Sequence, residues 1–144
     1  MKDDPVTYLS RAIQRIGSGT VESDSGSHVA GIFGKAANDF EKAIRSYLAA
    51  LLGTCGLNYN REIRPTIKGC PSFERLTLGN CLAAMTEASN LRPARVAAAA
   101  PANWKFSDFL QMLRRINNAW VDVKHGDEVA QSVLLARMKS MLTV

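Results

Sequence analysis

The sequence predicts an all-α chain, an antiparallel bundle of four to five helices. Three observations carry that prediction. Apolar residues recur at spacings of three and four over long stretches, which is the pattern of one face of a helix. No stretch alternates with period two for long enough to make a strand. Helix starts and stops punctuate the chain, at Asp4-Pro5, Gly17, Gly53, Ser72, Ser107, Gly126 and Asp127. Helices of this length must each bury one stripe against another, which favours antiparallel neighbours.

Asp4 can accept a free backbone N–H and Pro5 suits the first helical position, so a helix is expected through Val6, Leu9, Ile13 and Ile16, stopped by Gly17. The small, polar stretch from Gly17 to Ser27 cannot bury apolar area and is expected as a flexible loop, so residues 1–27 form an N-terminal helix and loop and 28–144 the core bundle. The longest helix is expected from His28 to Leu52, with Phe40, Ile44, Tyr47, Leu48 and Leu51 on its apolar side and Gly53 ending it. Ala36, Ala37, Ala43 and Ala49 thin its surface, which allows close approach of another helix or a second subunit. Residues 54–71 carry turn formers and two prolines and read as an irregular connection. Ser72 is placed as the cap of a third helix running to Asn90, interrupted near Gly79. The segment from Asn90 to Asn103, bounded by Pro93 and Pro101, is a connection whose alanine run can add a helical turn or two. Ser107 is expected to open a further helix through Phe109, Leu110, Leu113, Ile116, Trp120 and Val123, ended by Gly126, and Asp127 to cap a last one.

At 144 residues the chain fits one domain, too short for a two-domain cofactor enzyme. The acidic start MKDDPVTY lacks the basic and apolar regions of a secretory signal, and no apolar run is long enough for a membrane span, so a cytoplasmic protein without membrane attachment is expected. Cys55, Cys70 and Cys81 are an odd number with no zinc spacing, which points to reduced thiols in buried or inert roles and to no metal or cofactor. The net charge of +5 permits contact with a polyanion. The arginines Arg61, Arg64, Arg75, Arg92, Arg95, Arg114, Arg115 and Arg137 are scattered among apolar residues, a pattern more typical of a solvated surface than of a phosphate-binding stripe.

One helix carries a dense polar constellation. Arg115, Asn118, Asp122 and His125 are spaced three, four and three apart, a continuous row on a helix. His125 precedes Gly126 at the expected C-terminus, where the helix dipole favours an imidazolium, and Asp122 one turn earlier can hold a ring proton. The same residues also read as a solvated face with a charged end, Lys124 included. His28, alone at a helix start, reads as a solvated neighbour of the cap. Trp120 falls at an apolar helical position and reads as core; Trp104, just before its helix, is open to core packing or to stacking on a base.

Three segments in this order, GIFGKAANDFEKAI, FERLTLGN and RINNAWVDVKHGDE, resemble the HEPN superfamily of helical domains over roughly residues 28–144. The resemblance implies a small helical bundle that dimerises, a setting in bacterial toxin–antitoxin or phage-defence systems, RNA as the ligand, and metal-independent endoribonuclease action. It also implies a cognate antitoxin or nucleotidyltransferase-like partner. Members cleave with an arginine followed, after four to six residues, by a histidine. With His125 as that histidine, the arginine belongs at 118–120, where this chain has Asn118, Ala119 and Trp120. The resemblance gives His125 the catalytic role; the polar row adds Asp122 as its orienter and Arg115 for phosphate charge as the other catalytic candidates, with Asn118, Lys124 and Arg114 as substrate contacts. The break at Trp120 leaves an inactive dimerisation or docking module as the alternative.

Overall fold

The computed structural model describes residues 26–101 and 104–122, and the single positions 129, 133, 134 and 136. The expected N-terminal helix and most of the expected loop after it, the end of the polar helix and most of the last helix lie outside the described residues. Among the described residues the chain is all-α, without a strand. Helices α1 (Gly26–Cys55), α2 (Leu78–Leu91), α3 (Pro93–Ala98) and α4 (Phe106–Asp122) are joined by a π turn, Tyr59–Ile63, and two 3-10 turns, Arg64–Thr66 and Phe73–Arg75. Val129, Val133, Leu134 and Ala136 are also helical, at positions of the expected last helix.

α1 forms where the three-four repeat predicts it. Phe40, Ala43, Ile44, Tyr47, Leu48, Leu51, Leu52 and Cys55 are buried, and Lys42, Ser46, Ala49 and Gly53 are exposed on the other side. Gly53 does not end it. The helix runs on to Cys55 and closes on Gly56, which sits at φ +68, a conformation cheap only for glycine. The Leu57 N–H donates to the Leu52 carbonyl at 2.9 Å and the Gly56 N–H to the Gly53 carbonyl at 3.2 Å, the paired bonds of a Schellman stop.

The connection after α1 is more ordered than its composition suggests. Asn58 caps the π turn by accepting from the Arg61 N–H at 3.0 Å, while Glu62 accepts from the Asn58 N–H at 2.6 Å. Tyr59 stands edge-on to Phe73 at 5.3 Å and donates its hydroxyl proton to the Pro71 carbonyl at 2.8 Å. Gly69 and Cys70 both take positive φ, 85 and 43, in the turn that the Cys70 N–H closes on the Ile67 carbonyl.

Ser72 precedes only a 3-10 turn and makes no side-chain cap bond, so the expected third helix is split at Leu76–Thr77. Thr77 is the true cap. Its hydroxyl accepts from the Asn80 N–H, and the Asn80 side chain accepts from the Thr77 N–H, both at 3.1 Å. Gly79 lies inside α2. The alanine-rich connection supplies α3, opened by Pro93 and packed against α2. α4 opens at Phe106, one residue before the expected cap Ser107, with the Lys105 carbonyl accepting from the Phe109 N–H at 3.0 Å.

The chain divides into two compact units. The first comprises Met1–Ala43 and Arg115–Val144; among its described residues Phe40, Ala43, Ile116 and Leu134 are buried. The second, Ile44–Arg114, has an aromatic core in which Phe109 meets Tyr47 edge-on at 5.4 Å and Trp104 at 6.1 Å. There the Tyr47 hydroxyl donates to the Ala99 carbonyl, and the Arg45 guanidinium donates to the Leu76 carbonyl, each at 2.9 Å. These two bonds tie α1 to the segments flanking α2 and α3.

Candidate functional site

α4 separates its two chemistries by periodicity. Phe106, Phe109, Leu110, Leu113 and Ile116 are buried, while Ser107, Asp108, Gln111, Arg114, Arg115 and Asn118 are exposed. Of the polar row, Arg115 and Asn118 therefore stand together at the surface, one turn apart in the first unit. Asp122 is the last residue of α4, and its side chain, like that of Trp120, is outside the described residues. Lys124 and His125 lie outside them altogether, so the pairing expected between Asp122 and His125 is not among the geometry the structure gives.

Arg114 belongs to the other unit and is committed differently. Its guanidinium donates to the Thr86 hydroxyl at 3.1 Å, and that hydroxyl donates to the Leu82 carbonyl at 2.9 Å. Arg114 thus ties α4 to α2, with its remaining donors at the surface.

Among the described residues no cluster of His, Cys, Asp and Glu could hold a metal ion. The thiols differ from one another. Cys55 and Cys81 are buried, as expected, whereas Cys70 is exposed. Burial pushes the Cys55 thiol up, and the nearby Arg95 and Arg92 oppose that rise. Burial likewise holds the Tyr47 hydroxyl well above the ordinary phenol range, as suits a donor committed to a carbonyl. No described helix is long and apolar enough to cross a membrane.

No protein-family model, curated protein or solved structure matches the chain.

A feature the sequence did not reveal lies within the second unit. A cleft of about 500 Å³ opens between the end of α2, α3 and the start of α4. Trp104, Lys105 and Ser107 line it with Ser89 of α2 and Pro93 and Ala97 of α3. Its parts come from three separate stretches of chain, and only Trp104 carried a signal in the sequence.

Proposed function

We propose that this chain is a HEPN-like helical domain of a toxin–antitoxin or phage-defence system, cytoplasmic, which binds RNA and is built as an antiparallel bundle. The observation that supports it most is the exposed Arg115–Asn118 face of α4, set opposite a fully apolar stripe and pointing in sequence towards Asp122, Lys124 and His125. The order of a long helix, a broken middle segment and a polar helix agrees with the resemblance.

In an active domain, the ribose 2′-oxygen attacks the adjacent phosphorus and the P–O5′ bond breaks; His125 acts either as the base that takes the 2′-hydroxyl proton or as the acid that protonates the leaving 5′-oxygen, with water filling the other role. Asp122 orients the imidazole, Asn118 and Arg114 contact the strand, and Arg115 or Lys124 offsets the charge on the phosphate. Arg115 lies ten residues before His125, about 15 Å along a continuous helix, too far to share one phosphate within a chain. A homodimer with antiparallel α4 helices would bring Arg115 of one copy towards His125 of the other. Light scattering of the full chain should therefore give twice the monomer mass at tens of micromolar, and a monomer mass would contradict this arrangement.

The alternative, an inactive dimerisation or docking module for an antitoxin or nucleotidyltransferase-like partner, is favoured by one residue. Trp120 stands where the arginine of the motif would, and an indole has neither the charge nor the fork of donors of a guanidinium. Cleavage of single-stranded RNA in the presence of a chelator separates the two. Ribonuclease action predicts cleavage that falls roughly ten- to a hundredfold or more in His125→Ala. The inactive module predicts none in the parent protein. Gain of cleavage in Trp120→Arg would mean that the scaffold lacks only this group, and no gain in a folded dimer would remove the catalytic reading.

A further inference from the structure

We propose that the cleft between α2, α3 and the start of α4 is a nucleotide-binding site, taking a nucleobase against Trp104 with its phosphate on Lys105. The site is separate from the polar row of α4 and would stand if that row proved catalytically silent.

Size is the first requirement. About 500 Å³ falls within the range of small-molecule sites, roughly 300–1,000 Å³. The chemistry of the lining is the second. Trp104 is half-buried, and its ring is fixed edge-to-face, at 6.1 Å and 68°, against Phe109, a fully buried residue of the aromatic core. Its backbone N–H is held by the Pro101 carbonyl at 3.0 Å. The indole is thus a preorganised wall rather than a loose surface side chain, and a flat heteroaromatic ring is the ligand that best exploits it. Pro93 and Ala97 keep the α3 side small and apolar. Ser89 and Ser107 add hydroxyls that can donate to or accept from a base edge or a ribose. Lys105, exposed at the same cleft, makes no ion pair among the described residues and is available to an anion.

Charge supports an anionic ligand over a neutral one. Residues 44–114, the unit that contains the cleft, hold nine Lys and Arg against four Asp and Glu, so the net +5 of the chain resides there and the other unit is neutral. A carboxylate does stand nearby in sequence, Asp108 in the first turn of α4, but it is not part of the lining. A base joined to a phosphate meets the aromatic wall, the hydroxyls and the cation together. The same chemistry is offered by a free mononucleotide and by an unpaired nucleotide of an RNA strand.

The full chain should be titrated with AMP, GMP, CMP and UMP, and separately with short unstructured oligo(A) and oligo(U), following tryptophan fluorescence and calorimetric heat. Saturable binding of at least one probe, with quenching of the indole emission, is expected. Mononucleotide binding would identify the free nucleotide as ligand, and binding of the oligomers alone would identify a strand. Trp104→Ala should weaken binding roughly tenfold or more, with partial recovery in Trp104→Phe. Because Trp104 also packs on Phe109, two further variants keep folding out of the result. Lys105→Gln, at an exposed position, should weaken binding and flatten its salt dependence, and Ala97→Phe should block the cleft; circular dichroism should show both folded. Binding that survives Lys105→Gln and Ala97→Phe unchanged, or no binding of any probe to the folded protein, would overturn the proposal.

Discussion

Thr77 does more for the fold than its place in the sequence suggests. It interrupts an otherwise plausible helix from Ser72 to Asn90, because its hydroxyl and the Asn80 amide satisfy each other's backbone N–H groups and fix the start of α2. Thr77→Ala should cost about 1 kcal/mol in urea denaturation, whereas Ser72→Ala, which removes no cap bond, should be nearly neutral. The Thr-x-x-Asn pattern was present in the sequence, but the apolar residues on both sides of it continue a helical stripe, and that stripe was the stronger signal. Cys70 was less legible still. Nothing in a lone cysteine indicates φ 43, which the tight turn after Ile67 imposes.

Tyr47 links residue chemistry to pH. Its hydroxyl is a buried donor to the Ala99 carbonyl, and burial raises its pKa above the ordinary value of 10.0. The unfolded chain therefore releases this proton first as pH rises. The stabilisation is fully present below about pH 10 and is lost as pH climbs towards the raised folded value. Tyr47→Phe should be less stable than the parent near neutrality, by about 1 kcal/mol for the lost bond, with the gap closing above about pH 10. A gap that stays constant from neutral to strongly alkaline pH would mean that the hydroxyl is not the group responsible.

At the scale of elements, the long helices were legible because burial follows their periodicity. Every described apolar residue expected on the α1 stripe from Phe40 to Leu51 is buried, as are Phe109, Leu110, Leu113 and Ile116 of α4. Ile44 is fully buried, so Ile44→Asp should leave the protein unfolded or insoluble, since the carboxylate would be buried without a partner. Soluble, cooperatively unfolding Ile44→Asp would contradict the packing of α1. Ends and connections were less legible. Gly53 and Gly56 are both plausible stops, and only the hydrogen-bonded closure through Leu57 decides between them. The π and 3-10 turns between Tyr59 and Thr66 follow from Asn58, Glu62 and Pro65 acting together, a local network that composition does not disclose. The candidate site divides in the same way. The exposure of Arg115 and Asn118 could be read from the helix repeat, whereas the cleft could not, because it arises from the meeting of α2, α3 and α4.

At the scale of the whole molecule, what matters most for function is where the charge resides. Scattered arginines gave no stripe in the sequence, yet the unit from Ile44 to Arg114 carries the entire net +5. A basic unit of this kind favours a polyanionic ligand, and RNA binding is the claim on which the proposed function rests. The most direct test is a fluorescence-anisotropy titration of labelled single-stranded RNA with the full chain, in chelator, over a series of salt concentrations. Saturable binding is expected, with a binding constant whose logarithm falls linearly with the logarithm of salt and a slope reduced by about one in Lys105→Gln. Failure of the folded protein to bind RNA at low salt, or binding indifferent to salt, would contradict it.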